Sequence, residues 1–203
     1  MASKFKVANT RVYIVYIVLL CICLFISACS SLQPNYPIAW PKPISTKVDI
    51  VTTLDGFYEC IGEVVTGRPV PDSDKAYLTK DRATRFLFDT TEQPKDCSVV
   101  SLKKKGDDLI EITAYSGEEA VGKLTIQKDI NYSVENNWVN LRKTHHVASG
   151  GGVIMDSSTI QNSLTINEAG DLIIKSKTYG FGVVYFVPYG NDEYYWVRFK
   201  KAR

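Results

Sequence analysis

The sequence predicts an all-β, antiparallel domain, either an up-and-down barrel or a β-sandwich of eight or nine strands. Short segments alternate apolar and polar residues with the two-residue period of a strand, as Ile110, Ile112 and Ala114 do. Turn residues such as Gly106 and Gly117 separate these segments at short spacing. Many short strands with turns between neighbours are typical of antiparallel barrels and sandwiches.

The N-terminal stretch, residues 1–28, has the order of a bacterial secretion signal: a basic start, an apolar run and small residues. Ile26, Ser27, Ala28 and Cys29 then resemble the lipobox of bacterial lipoproteins, which reads branched apolar residue, small residue, Gly or Ala, and Cys. The resemblance implies that Ile26, Ser27 and Ala28 direct cleavage before Cys29. It also implies that the Cys29 thiol receives a diacylglycerol and that its new amine is acylated, for example with palmitate.

Two other interpretations of this segment are an ordinary signal peptide cut after Ala28, with Cys29 incidental, and an uncleaved anchor, because the length of the apolar run falls at the short end of the range for a membrane-spanning helix. Lipidation is favoured because a lone thiol beside a linker is reactive in an oxidising compartment. All three interpretations export everything after Cys29. Ser30 follows Cys29, whereas Asp at that position commonly retains Gram-negative lipoproteins at the inner membrane, so we expect the outer membrane.

The charge of the exported chain is close to zero. The formal charge of +2 includes three basic residues of the signal, which has no acidic residue, so the mature chain carries −1. A near-neutral domain has no electrostatic basis for binding nucleic acid or an anionic membrane surface. We therefore expect membrane contact through the lipid anchor alone.

A proline-rich tether, residues 29–46, follows the signal and holds four of the eight prolines. Proline fixes φ and removes donors, so an extended tether of about 3.1 Å per residue would reach up to roughly 50 Å. Tyr36, Ile38 and Trp40 alternate, which predicts docking on the domain as an edge segment; a disordered stalk is the alternative. The β domain then occupies residues 47–203.

The five cysteines predict one disulfide. Cys21 and Cys23 leave with the signal and Cys29 is acylated, so Cys60 and Cys97 remain in the domain. An even pair in an exported domain indicates a disulfide, although two separate buried thiols are the alternative. Export favours the bond.

The first strand of the domain is predicted over Asp55–Glu63, with Tyr58 and Cys60 on the face opposite Phe57. A single short helix is predicted within Asp74–Phe88, where apolar residues fall on one side of a helix. The remaining strands are predicted over Ser98–Lys103, Leu109–Tyr115, Ala120–Gln127, Trp138–Val147, Ile160–Ile166, Leu172–Lys177, Val183–Val187 and Glu193–Lys200. Turns are predicted at Asn136–Asn137, around Gly170 and at Tyr189–Asp192.

The sequence has no recognisable catalytic or metal-binding constellation, so we expect neither an enzyme nor a cofactor beyond the lipid. His145 and His146 are adjacent on a strand and should point to opposite faces, which prevents them from sharing a metal. Ser149 lacks a nucleophile elbow, and Gly150–Gly152 lacks the Lys of a phosphate loop.

Nine aromatic residues fall between Tyr179 and Phe199. Alternation places Tyr195 and Phe199 on one strand face and Tyr194 and Trp196 on the other. Aromatic residues at this density are typical of a β-core, which is the interpretation we favour. The alternative is that they line an apolar cavity.

Three family resemblances are carried by the two ends of the domain. Gly56–Tyr58 resembles the Gly-x-Trp opening of lipocalins with Tyr at the Trp position, and Arg198 is similar to the basic residue that packs over that ring. Tyr58–Cys60 resembles the Tyr-x-Cys start of periplasmic lysozyme-inhibitor lipoproteins. Leu54–Tyr58 together with Trp196–Phe199 resembles uncharacterised lipoproteins of Gram-negative bacteria. The lipocalin resemblance implies a barrel.

Three functions follow as expectations. The first is a non-catalytic envelope module that binds a protein or glycan partner or helps an assembly. The second is a carrier of a small hydrophobic ligand inside the barrel, and the third is a lysozyme-inhibitor-like protein. A cavity would favour the carrier, whereas an exposed apolar patch over a filled interior would favour the partner-binding module.

Overall fold

The computed structural model describes residues 35–45, 49–66, 80–88, 93–94, 96–150, 154–184 and 187–202. The signal and the lipobox, including Cys29, lie outside these residues. The described part of the chain belongs to one compact unit. It contains two short helices, and neither is long and apolar enough to cross a membrane.

Twelve strands and two helices form in the described residues. The helices are α1 (Ile50–Thr53) and α2 (Ala83–Leu87). The strands are β1 (Gly56–Glu59), β2 (Ile61–Thr66), β3 (Lys80–Arg82), β4 (Val99–Lys105), β5 (Leu109–Ser116), β6 (Glu119–Gln127), β7 (Tyr132–Glu135), β8 (Trp138–Leu141), β9 (Thr144–Gly150), β10 (Ile154–Ile166), β11 (Leu172–Val184) and β12 (Val187–Phe199).

The strands build two antiparallel sheets, which confirms the predicted all-β class. The smaller sheet has the order β1-β4-β5-β6, and the larger has the order β3-β2-β12-β11-β10-β8-β7 with β9 also beside β10. The sheets do not close into a barrel, so the sandwich is the correct one of the two predicted architectures. The described strands outnumber the eight or nine predicted because two predicted segments split and because β3 and β7 were not predicted as strands.

Cys60 divides the predicted first strand into β1 and β2, which pair in different sheets. Beyond Cys60, β2 pairs with β12, while β1 pairs with β4. The chain after β12 returns beside β1, where the Glu59 N–H donates to the Lys200 carbonyl at 2.8 Å and the Ala202 N–H donates to the Phe57 carbonyl at 2.7 Å. The two sheets are therefore joined along β1.

A disulfide links Cys60 to Cys97, as predicted, with their Cα atoms 5.8 Å apart. Both residues are buried. The Cys60 N–H also donates to the Ser98 carbonyl at 2.9 Å. The bond thus fastens the junction between the sheets to the start of β4.

The main core lies between the sheets, as the strand period predicts. Tyr58, Val100, Ile112 and Phe199 are buried there, whereas Phe57, on the opposite face of β1, is 54% exposed. Tyr58 satisfies its hydroxyl by donating to the Leu54 carbonyl at 2.9 Å. Burial raises the pKa of this phenol.

The predicted tight turns are confirmed where their residues need left-handed backbone. Gly106, Gly117 and Gly170 have φ values of 68°, 62° and 82°, and Asn136 and Asn137 have 50° and 63°. Asn tolerates this region better than most side chains, and consecutive positive φ values suit a two-residue hairpin. The Asn136–Asn137 turn joins β7, which was not predicted, to β8.

The predicted helix over Asp74–Phe88 is wrong at its described start. Lys80–Arg82 forms the edge strand β3 and pairs with Ile61–Glu63, so sheet pairing overrides the local helical pattern. Only Ala83–Leu87 is helical. The preceding residues 74–79 lie outside the described part of the chain.

Two further strand boundaries differ from prediction because β10 and β11 are longer than predicted, with 13 residues each. The predicted turn Tyr189–Asp192 is instead part of β12, paired with Tyr179–Gly182. The predicted strand Trp138–Val147 splits into β8 and β9, which pair with different parts of β10. Residues 185–186 of the predicted strand Val183–Val187 lie outside the described part of the chain.

The strap, defined here as residues 35–45, packs on the outer face of the larger sheet, as the docked alternative predicts. Trp40 is 8% exposed, and the Tyr36 ring lies 5.2 Å from the Trp196 ring centre. The Ile44 N–H donates to the Ile166 carbonyl at 3.0 Å. Ile38 is fully exposed, so the predicted alternation of three docked residues holds for two.

Candidate functional site

A solvent-accessible cleft of about 950 Å³ opens between the two sheets beside the filled core. Its floor is the inner face of β10–β12, and its walls come from β6, α2 and the β8–β9 connection. Ligand pockets commonly enclose about 300–1,000 Å³, so the cleft has the size of a small-molecule site. It is lined by Arg85, Phe86, Leu87, Phe88, Gln93, Leu124, Ile126, Asn131, Leu141, Arg142, Lys143, Thr144, His145, His146, Ile160, Asn162, Ser176, Thr178 and Tyr195.

The inner face of the larger sheet changes from apolar to polar along its strands. Strands β10, β11 and β12 each contribute one residue to every cross-strand row. Two apolar rows lie in the core: Ile166, Leu172 and Phe199, then Leu164, Ile174 and Val197. The next two rows, towards the cleft, are Asn162, Ser176 and Tyr195, then Ile160, Thr178 and Glu193.

Polar side chains on an interior face are costly unless they are hydrogen-bonded or used by a ligand. The Asn162 amide donates from Nδ2 to the Phe86 carbonyl at 2.9 Å, which holds α2 against the floor. Its Oδ1 atom is buried and accepts no hydrogen bond from the protein. This atom has almost no accessible surface, so the cleft does not expose it to a ligand.

Tyr195 carries the second polar group of the floor. Its hydroxyl donates to Glu193 Oε2 at 2.5 Å. Burial raises the pKa of Tyr195 to about 12, and the Glu193 carboxylate adds to the shift. The phenol therefore stays protonated at neutral pH and keeps its hydrogen aimed at the carboxylate.

The rim of the cleft is basic. Arg142 and Lys143 are exposed in the β8–β9 connection, and Arg85 lies at the opposite wall, paired with Asp81. No Asp or Glu is among the described residues that line the cleft. The cleft consequently favours ligands with negative charge at its mouth.

His145 and His146 border the cleft but occupy opposite faces of β9, as predicted. Their cross-strand partners are Thr159 and Ser158, and Thr159 Oγ1 lies 2.9 Å from His145 Nδ1. In the described part of the chain, no three His, Cys, Asp or Glu residues are placed to hold a metal ion. Of Ser149 and Gly150–Gly152, only Ser149 and Gly150 fall within the described backbone.

The nine aromatic residues do not act as one set. Phe199 is in the main core, Tyr195 lines the cleft, and Trp196 faces the strap on the outer side. Tyr194 and Trp196 thus lie opposite Tyr195 and Phe199, as the alternation predicts. Neither interpretation, a β-core or a cavity lining, therefore holds for all the aromatic residues of this set that the structure describes.

A strip of cations and aromatic rings crosses the outer face of the larger sheet. The Lys177 ammonium lies 3.8 Å from the Tyr179 ring centre and 4.5 Å from that of Tyr194. Lys175 lies 5.5 Å from the Trp196 ring centre, and burial lowers its pKa. These cation–π contacts place a lysine ammonium over each of the three rings on the outer face of the larger sheet.

The lipocalin resemblance implies that Arg198 packs over the Tyr58 ring, but the structure does not show this contact. Its guanidinium lies 5.1 Å from the Trp40 ring centre and donates to Glu63 at 2.5 Å. Tyr58 lies on the inner side and bonds within the core.

A comparison of the chain with protein-family models, with curated proteins and with solved structures finds no match.

Sequence reasoning missed the cleft, although one signal was present. On β11, Leu172 and Ile174 begin an inward-facing period that Ser176 and Thr178 continue with polar residues. Polar residues at core positions are unfavourable unless they serve a function. The basic rim had no such signal because it depends on how β8 and β9 pair with β10.

Proposed function

We propose that this protein is a lipid-anchored lipoprotein of the bacterial cell envelope whose exported domain is a non-catalytic binding module for a small ligand. The lipobox, Ile26–Cys29, supports the anchor. Ser30 supports the outer membrane in preference to the inner membrane. The cleft between the sheets supports the binding role.

The observation that carries the binding role is the polar floor of the cleft. A sandwich gains stability by filling the space between its sheets with apolar side chains. Here two inner rows carry Asn162, Ser176 and Thr178 instead and face a cleft that solvent can enter. Retaining polar groups and empty space at this position is understandable where a ligand fills the space.

The test purifies the mature protein from its native envelope and determines its mass under native and denaturing conditions. We expect a covalent diacylglycerol and acyl group on Cys29 and a non-covalent ligand that denaturation releases. Cys29→Ser should lose the acyl mass and stable membrane association. A Cys29→Ser chain that stays firmly in the membrane would overturn the anchor.

A cleft-filling variant tests the binding role separately. Thr178→Leu extends a side chain into the cleft and should reduce the retained ligand without unfolding the domain. Thr125→Leu is the matched control, because Thr125 is exposed on β6 and does not line the cleft. Equal ligand retention in both variants and the wild type would refute a site in the cleft.

The second candidate is a module that binds a protein or glycan partner. It is favoured by two exposed apolar residues on the outer face, Val147 and Phe181, which are 79% and 61% exposed. Both lie directly across from Ser157, so they belong to one row of the sheet. Absence of any retained ligand from the native protein would favour this candidate.

A further inference from the structure

The cleft keeps its positive charge and its apolar surface apart, and this separation indicates what class of ligand fits. The inference rests on the proposed binding function. Arg142 and Lys143 supply the charge at the mouth and are exposed, whereas Leu124 and Ile126 on the β6 wall and Ile160 on the β10 floor are partly or fully buried. A matching ligand has one charged end and one apolar end.

The rim cations are available to a ligand. Among the described residues, ion pairs engage Arg85, Lys104, Lys105, Lys123 and Arg198, but not Arg142 or Lys143. Arg142 and Lys143 are also exposed. A phosphate or carboxylate bound between them gains charge-assisted hydrogen bonds that no protein group now supplies.

The interior disfavours a second negative charge. Glu193 does not itself line the cleft, but it lies in the row next to Tyr195 and accepts the hydroxyl hydrogen of that lining residue. An anion placed at the floor would be repelled by this carboxylate.

We propose that the cleft binds a single-chain amphiphile with an anionic headgroup, its headgroup at Arg142 and Lys143 and its acyl chain between β6 and β10. A small inorganic anion would leave the apolar walls unburied, since it has no surface to place against Leu124 and Ile160. A neutral lipid would leave the two rim cations without a counter-charge. A volume of about 950 Å³ accommodates one such chain.

The experiment measures equilibrium binding to the mature lipidated protein in nanodiscs, with the signal from empty nanodiscs subtracted. The three labelled ligands share a dodecanoyl chain: dodecanoate, dodecanoyl lysophosphatidylglycerol and neutral dodecanoylglycerol. We expect at least one anionic ligand to bind about tenfold or more tightly than dodecanoylglycerol, which corresponds to about one charge-assisted contact. Which anion binds more tightly then identifies a carboxylate or a phosphate headgroup.

Removal of the rim charge tests the orientation. The double variant R142Q/K143Q should weaken binding of the anionic ligand about tenfold or more and leave dodecanoylglycerol unchanged. K103Q is the control, since Lys103 is exposed on β4 away from the cleft. Circular dichroism of each variant checks that the fold is retained.

The outcomes separate this inference from the proposed function. Equal affinity for neutral and anionic ligands, or an unchanged affinity in R142Q/K143Q, overturns the anionic headgroup and leaves a binding cleft. The inference is also overturned if Thr178→Leu does not weaken binding. It is overturned as well if none of the three ligands binds while the native protein retains another ligand. A native protein without retained ligand, or equal ligand retention in the wild type and Thr178→Leu, refutes the cleft as a site.

Discussion

At Gly62, the absence of a side chain allows β2 to lie against β12. A Cβ atom at this position would stand 2.5 Å from Cε1 of Phe199 and 2.8 Å from the Arg198 carbonyl oxygen. The Phe199 ring is fully buried and cannot move aside without disturbing the core. A single hydrogen in place of a methyl group thus decides how closely the two strands approach.

We expect Gly62→Ala to destabilise the domain by about 1–3 kcal/mol, because overpacking forces the ring or the backbone to shift. Gly190→Ala is the matched control, since the nearest atom to its added Cβ is the Gly180 carbonyl oxygen at 3.8 Å, an ordinary contact. Urea unfolding followed by circular dichroism measures both. Equal midpoints for the two variants would contradict the packing described at Gly62.

Asp49 makes stability depend on pH. It caps α1 by accepting the Val51 N–H, and its Oδ2 lies 2.6 Å from the Lys104 ammonium. The hydrogen bond from Lys104, with a further one from Thr52, lowers the pKa of Asp49 from 3.8 to about 2. The charged carboxylate therefore stabilises the fold fully above its ordinary pKa, and this contribution is lost as the pH falls towards 2.

Asp49→Asn keeps the capping acceptor and removes the ion pair. We expect it to lower stability at pH 7 by about 0.2–1 kcal/mol, the range for a solvent-exposed pair. The difference from wild type should shrink as the pH falls from about 4 to about 2, because wild-type Asp49 becomes protonated. Thermal melts of Asp49→Asn and the wild type across this pH range measure the difference. Glu118→Gln is the control, because Glu118 lies in the exposed β5–β6 turn. A difference that does not change with pH would contradict the ion pair as its source.

At the scale of elements, the strap and the larger sheet stabilise each other through Trp40. This side chain packs against Ile173 and Trp196 and under the Arg198 guanidinium. We expect Trp40→Ala to lower the free energy of unfolding by about 3 kcal/mol, since a large buried aromatic is removed. Ile38→Ala should have no measurable effect, because Ile38 is fully exposed in the same strap. If the two variants unfold at the same urea concentration, the strap does not stabilise the domain.

Elements with a regular period could be predicted from the sequence. The alternation of Tyr195, Val197 and Phe199 assigned their face correctly, and the glycine and Asn-Asn turns were placed correctly because positive φ restricts the residue type. The α2 region failed, since Lys80–Arg82 adopts a conformation that its pairing with β2 decides. Local pattern does not contain that partner.

The cleft could not be predicted as a site for a related reason. Its lining comes from β6, α2, the β8–β9 connection and three long strands, so the change to polar residues along β11 shows only one part of it. Arg142 and Lys143 appear in sequence as ordinary surface cations. They become rim residues only because β8 and β9 pair with successive parts of β10.

At the scale of the whole molecule, the Cys60–Cys97 disulfide ties the junction of β1 and β2 to the start of β4 across a sequence separation of 37 residues. Closing a loop of this length should contribute about 3–4 kcal/mol through unfolded-state entropy. We expect the Cys60→Ser, Cys97→Ser double variant to unfold at a lower urea concentration by an equivalent amount. Reductant should shift the wild type towards the variant and leave the variant unchanged. A wild-type midpoint that does not respond to reduction would contradict this entropic contribution.

Docking of the strap shortens the reach of the proposed anchor. Among the described residues, Tyr36 is the first that packs on the domain, and it lies seven positions after Cys29. A fully extended chain spans about 3.3–3.6 Å per residue, so this span reaches at most about 25 Å, half of the value expected for a free tether. With Cys29 lipidated as proposed, the strap stays near the bilayer and a ligand has a short distance to travel between membrane and domain.

The grouping of the three tryptophans around the strap also determines what light emission from this protein reports. Trp40, Trp138 and Trp196 all lie on the outer face of the larger sheet, and the four strands of the smaller sheet contain none. Indole fluorescence therefore follows the strap and its surface, while the smaller sheet and most of the cleft are optically silent. An emission change that precedes the loss of ellipticity during unfolding would show the strap leaving a sandwich that is still folded.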